Sequence, residues 1–150
     1  INDDTISKIS WYTSMSTQIG EGVKNSDGIT TYDVTTTLTN TITSEEAASA
    51  PTYISGGNQN KRDVSDMLDY VYFYAPAGGS ISNFSVSEGG LVGDIGVVDH
   101  PIYGLQVLNA HVHARAGETV TFTYQVTVSS NATESLTLRT TPLAQESLMQ

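Results

Sequence analysis

The chain contains no cysteine, which excludes disulfides, thiolate zinc sites and cysteine nucleophiles. Basic residues are scarce as well: six Lys and Arg stand against 16 Asp and Glu, for a formal charge of −10. Affinity for a phosphate backbone comes from clustered Lys and Arg, so this balance excludes nucleic acid as a partner. No run of about 18 apolar residues occurs, so nothing in these residues reads as a membrane-spanning helix. Charged residues make up only 15%, too few for a highly charged disordered chain. Ser and Thr are what is abundant, 37 of 150 residues. At this length the expectation is one domain over residues 1–150, with its core about 8–141, burying about 68–70% of the surface its unfolded chain exposes.

The ends read as cut points. Ile1–Thr5 shows no initiator Met, basic n-region or apolar h-region, so the chain is expected to be an excised or mature segment. Any targeting signal or membrane anchor then lies outside it. Residues 142–150 are polar, with Leu143, Leu148 and Met149 scattered, and read as a tail or a last strand parted from its partner.

Alternation of apolar and polar residues, the mark of a half-buried strand, recurs along the chain. In Lys8–Thr17 it places Ile9, Trp11, Thr13 and Met15 on one face, with Trp11 a core anchor and Lys8 outward. In Ile29–Thr43 it places Tyr32, Val34, Thr36, Leu38 and Ile42 opposite Thr31, Asp33, Thr35, Thr37 and Thr39. That β-branched ladder suits a pleated surface and disfavours a helix. Asp69–Pro76 carries aromatic or apolar groups on both faces and reads as a central strand covered on both sides. Pro76 ends it, and Ala77-Gly78-Gly79 turns the chain into Ile81–Ser87, the second strand of a hairpin.

Leu91–Asp99 is strand-like but interrupted by Gly93 and Gly96. Leu105–Arg115 alternates through Leu108, Ala110, Val112 and Ala114. After the turn at Ala116-Gly117-Glu118, Val120, Phe122, Tyr124, Val126 and Val128 form the cleanest stripe. Leu136 and Leu138 begin one more strand. The long segment Ser44–Ser65 is expected to be a loop, with one helical turn at Glu45–Ala50. Seven to eight strands without a sustained helix predict an all-β, immunoglobulin-like antiparallel β-sandwich, with a closed barrel as the other architecture.

Candidate chemistry is sparse. His111 and His113 sit at i and i+2 on one strand face, about 6.6 Å apart, a spacing that suits zinc or copper if further ligands converge. His100 and Asp99 are the candidates for those; the other reading is two solvent-facing histidines. Asp63, Asp66, Asp69, Asp94 and Asp99 invite a glycosidase reading, which needs two carboxyls across a cleft. Acid clustering is equally what 16 acidic residues produce by chance. Neither a Gly-x-Ser-x-Gly nucleophile turn nor a phosphate-binding loop before a helix is present.

Asn2-Asp3-Asp4 offers oxygen ligands for calcium without the spaced loop pattern calcium sites use. Tyr70, Tyr72 and Tyr74 share one strand face; core or boundary burial in the sandwich, with hydroxyls reaching the rim, is the expectation, and an exposed sugar-binding row the alternative. Lys8 and Asn109 form the candidate pair for an intramolecular isopeptide bond, against which stands the outward expectation for Lys8. Asn83 and Asn131 head glycosylation sequons, relevant only in a glycosylating host. No catalytic residue, cofactor or metal ligand is assigned, and the chain is not expected to be an enzyme.

Three stretches together carry a family resemblance. They are Thr31-Tyr32-Asp33-Val34-Thr35-Thr36-Thr37-Leu38-Thr39-Asn40-Thr41, then Asp69 through Ile81 with its Tyr74-Ala75-Pro76-Ala77-Gly78-Gly79, and Ala116-Gly117-Glu118-Thr119-Val120-Thr121-Phe122-Thr123-Tyr124. In this order and spacing the chain resembles the C-terminal region of the domain-of-unknown-function family 4012, found mainly in actinobacteria, over roughly Ile9 to Thr141. Ala116 stands where the family pattern has Pro. The resemblance implies a Gram-positive cell-surface location and a larger, membrane-anchored parent, and it transfers no catalytic residues.

The resulting expectation is a non-catalytic extracellular module of a bacterial cell-surface protein, structural or interacting, with an unknown protein or a cell-wall glycan as partner. The alternatives are a carbohydrate-binding module using surface tyrosines and a metal-binding module using the His111/His113 pair.

Overall fold

A strand buries every second side chain, so a sequence of alternating stripes folds by pressing two striped sheets together. The computed structural model describes residues 1–4, 7–56, 63–87, 90–93, 95–100, 104–144 and 148–149. In chain order the elements are β1 (Asn2–Asp3), a 3-10 turn at Ile9–Tyr12, β2 (Thr13–Ile19), β3 (Val23–Lys24), β4 (Thr30–Asn40), α1 (Ser44–Ser49) and α2 (Thr52–Ser55). There follow β5 (Met67–Tyr74), β6 (Ser80–Val86), β7 (Gly96–His100), β8 (Leu105–Ala114), β9 (Thr119–Val128) and β10 (Leu148–Met149).

One sheet runs β10-β2-β4-β9-β6, with β3 beside β4; the other runs β1-β5-β8-β7. We call them the β4 sheet and the β5 sheet. Every pairing is antiparallel except β10 on β2. The two sheets pack as an all-β antiparallel sandwich. Its seven strands of five or more residues are β2 and β4 through β9, in line with the seven to eight expected.

The core is the set of inward stripes: Val34 and Leu38 from β4, Val120, Phe122 and Val126 from β9, Met67 and Val71 from β5, and Leu108, Ala110 and Val112 from β8. Phe73 bridges the sheets, its ring 5.1 Å from Phe122 and 5.2 Å from Phe84. The opposite side of the β4 sheet is the Thr ladder, where hydroxyls pair across strands: Ser16 with Thr37 at 2.7 Å, Thr39 with Thr119 at 2.8 Å, Ser85 with Thr123 at 2.6 Å. Such cross-strand pairs contribute about 0.2–1 kcal/mol each and fix register.

Other hydroxyls face inward instead, Thr13 among them, which donates to the Met67 sulfur at 3.4 Å. Thr17, Thr36 and Tyr124 form a buried chain, and burial pushes the Tyr124 ionisation above its ordinary value of 10.0. A folded-state pKa raised above the unfolded value contributes stability that is complete below about pH 10 and is lost as pH rises through the folded value. Tyr124→Phe is therefore expected to flatten the decline of stability above pH 10, read from urea midpoints of both proteins between pH 8 and 11.

Several expectations are corrected. Trp11 is 63% exposed rather than a core anchor, because Ile9–Tyr12 is a 3-10 turn. At three residues per turn, positions two apart no longer share a face, so Ile9 goes in and Trp11 out. β5 and β6 form no hairpin: β5 pairs with β8, and the Pro76–Gly79 turn carries the chain across to β9 in the other sheet. Gly79 is needed there, since a Cβ would collide with the Thr127 carbonyl oxygen. β5 is covered on its inner face, and on its outer face only toward its start, where Leu68 is buried and Tyr70 half-buried.

The long 44–65 segment begins with two short helices. The first is capped by a reciprocal Thr43–Glu46 pair, where the turn at Glu45–Ala50 was expected. Leu136 and Leu138 belong to an extended segment with no strand partner among the described residues. Also among those residues, no helix is long and apolar enough to cross a membrane.

Candidate functional site on the outer face of the β5 sheet

The β5–β8 register sets Leu68 opposite His113, Tyr70 opposite His111, Tyr72 opposite Asn109 and Tyr74 opposite Val107. Alternation sends Met67, Asp69, Val71 and Phe73 toward the core, so these partners share the outward face. The histidine end is polar and ordered. The Nε2–H of His113 donates to Asp66 Oδ2 at 2.7 Å, and the same oxygen accepts from the Asp63 backbone N–H at 3.2 Å. His111 Nε2 lies 3.2 Å from Asp4 Oδ2, and its ring stacks on Tyr70 with centroids 4.2 Å apart and planes 11° from parallel.

The tyrosine end is the more exposed, although Val107, opposite Tyr74, is buried. Tyr72 is 38% exposed and Tyr74 54% exposed, about 7 Å apart along a rigid strand. For Tyr72 and Tyr74 this departs from the expected core or boundary burial, while Tyr70 is half-buried; the side chains that enter the sandwich from β5 are Val71 and Phe73.

His113→Ala leaves the Asp66 carboxylate, whose side chain is only 5% exposed, with the Asp63 N–H as its remaining partner. The expected cost is about 2 kcal/mol, the loss of a hydrogen bond to a buried carboxylate. His111→Ala, whose Asp4 partner is better solvated, is expected to cost less than half as much in the same denaturant titration.

His111 and His113 approach different carboxylates, and no group of three or more His, Asp or Glu among the described residues could hold an ion. The backbone register places residue 100 opposite Leu105, six positions down β8 from His111, or about 20 Å. Asp99 pairs in register with Gln106. Asp94 lies outside the described residues.

Asp66 and Asp69 face no common cleft. Asp66 turns outward to His113, whereas Asp69 is fully buried on the core side of β5. Asp3 pairs in register with Asp69 while Asp4 turns to His111, so Asn2-Asp3-Asp4 does not converge as a calcium loop would. Lys8 is exposed beside the 3-10 turn, its backbone N–H bonded to the Tyr53 carbonyl, and among the described residues no hydrogen bond joins it to Asn109 on β8.

The carboxylate partners Asp4 and Asp66 were invisible in sequence, because each reaches its histidine through the tertiary fold. Asp66 lies 47 residues from His113. The available signal was the strand parity that put both histidines outward. A scan against protein-family models matches none, and a search of curated proteins finds no significant match.

Proposed function

We propose that the chain is a non-catalytic, extracellular β-sandwich module of a bacterial cell-surface protein, with a structural or interaction role. The setting is supported by the three-motif resemblance to the C-terminal region of family 4012, which brings a Gram-positive, actinobacterial location and a membrane-anchored parent. The absence of cysteine and the solvated Thr face of the β4 sheet agree with a surface module held together by its core alone.

The observation that carries the interaction role is the pair Tyr72 and Tyr74, exposed side by side on a strand that the sandwich holds rigid. The module is immunoglobulin-like in layers and strand number. Against the immunoglobulin order ABED and CFG, its fifth and seventh long strands exchange places. Expressed within its full-length parent, the module is expected to be cleaved by protease added to intact cells; protection until lysis would contradict the location.

A second reading is favoured by the same exposure. Aromatic faces on one strand suit the apolar faces of sugar rings, with Asn109 and the His–Asp pairs as neighbouring polar groups. Cell-wall glycan fragments on an array are expected to retain the module, and a signal no higher than background rejects this reading.

A further inference from the structure

Between the sheets, beside β5 and β2, lies a cleft of about 620 Å³ whose apolar walls include Met15, Ile19, Val34, Val71, Ile81 and Val126. That is the volume of on the order of 20 waters. Voids in native cores rarely exceed one water, so this space is out of scale for a packing defect and within the range of small-molecule pockets.

The buried polar part of its wall includes the hydroxyl chain, Thr17 Oγ1 to Thr36 Oγ1 at 2.9 Å and Thr36 Oγ1 to the Tyr124 hydroxyl at 3.1 Å, while Thr137, Arg139, Thr140 and Thr141 line it near the opening. All three residues line the cleft, at 4%, 2% and 7% exposure. Three hydroxyls carry three protons, and the two bonds between them use two. Buried polar groups are as a rule satisfied, and these three have no other partner among the described residues, so one O–H remains for an acceptor inside the cleft.

Residues 136–141 cover the opening, with Leu136 and Leu138 half-buried and Thr137 and Arg139 exposed. Among the described residues their one hydrogen bond is from the Ile1 amino group to Thr141 Oγ1, at 3.3 Å. A cover held by side-chain packing rather than by a backbone ladder opens at low cost.

We propose that this cleft binds a neutral, largely apolar molecule of roughly a dozen to twenty heavy atoms that carries one hydrogen-bonding oxygen. Its hydrocarbon body packs on the walls and its oxygen takes the spare proton of the Thr17–Thr36–Tyr124 chain. A charged head is disfavoured by the same burial that holds Tyr124 in its neutral form.

The test is displacement of the fluorescent hydrophobe N-phenyl-1-naphthylamine from the intact chain by 4-phenylphenol and by biphenyl, which differ by one hydroxyl. The probe is expected to bind, and the phenol to displace it at about tenfold lower concentration, the worth of one net hydrogen bond. The triple variant Thr17→Val, Thr36→Val, Tyr124→Phe replaces every hydroxyl with carbon of the same shape, and is expected to bind the probe with less than about twofold preference.

Ile19→Trp, at a half-buried wall position, is expected to abolish probe binding at an unchanged melting temperature, and it keeps the test decisive should the triple variant not fold. Equal displacement by both competitors on the wild type means that water alone satisfies the hydroxyls, and overturns the proposal. So does an unbound probe, or probe binding that Ile19→Trp leaves intact.

Discussion

Asn40→Ala is expected to lower stability by about 3 kcal/mol, which for a domain of this size lowers the melting temperature by roughly 6–12 °C. Asn40 ends β4 and is fully buried. Its Nδ2 donates to the Ser65 carbonyl at 2.9 Å and to the Ala114 carbonyl at 3.2 Å, while its Oδ1 receives the Ile42 N–H at 3.4 Å. Its backbone N–H donates to Glu118 at 3.0 Å, and its carbonyl accepts from Gly117 at 2.9 Å.

One side chain thus ties the end of the β4 sheet to the end of β8 and to the segment that leads into β5. Truncation strands two buried carbonyls away from water at about 1–3 kcal/mol each, offset in part by relaxation. Asn40→Asp is expected to be at least as damaging, since a carboxylate presents oxygen to both carbonyls and donates nothing. Differential scanning calorimetry of the three proteins at neutral pH checks the order. Asn40 variants that melt within about 2 °C of wild type would remove this clip from the account.

Phe122→Ala is expected to cost about 4 kcal/mol, close to the limit a domain of ordinary stability survives. Phe122 comes from β9 at the centre of the β4 sheet and is fully buried. Its ring sits 5.1 Å from Phe73 and 6.0 Å from Phe84, and so joins three strands in two sheets. Deletion removes the transfer free energy of the ring and leaves a void that β-strands, pinned by their ladders, close poorly. Phe122→Leu keeps most of the volume and is expected to cost under half as much. Urea titration gives both values, with an unchanged m-value showing that the native surface is intact.

Strand location was legible in sequence wherever one stripe met solvent and the other met the core. β9 at Thr119–Val128 and the Thr ladder of β4 follow directly from a period of two, and even the inward Thr36 was placed on the core side. Partners were not legible. Nothing local to Pro76–Gly79 distinguishes a hairpin from a crossing between sheets; that choice is made by β8 and β9, which lie further along the chain.

Trp11 failed because a 3-10 turn interrupts the period just before β2. The tyrosine row failed for a different reason. With aromatic groups on both faces of β5, periodicity cannot tell core from surface, and Val71 and Phe73 took the inner side. The two His–Asp contacts and the inward hydroxyl chain depend on sheet register over long sequence separations, so composition and motif carry no trace of them.

The central claim is that the module meets its partner through the outer face of β5. The most direct measurement is co-sedimentation of the folded module with purified Gram-positive cell walls, comparing wild type with the double variant Tyr72→Ala, Tyr74→Ala. Both side chains are exposed, so the variant is expected to keep its melting temperature. Loss of two aromatic anchors is expected to weaken binding at least roughly 30-fold. Wild-type protein that stays in the supernatant, or a double variant that sediments as well as wild type, would contradict the account.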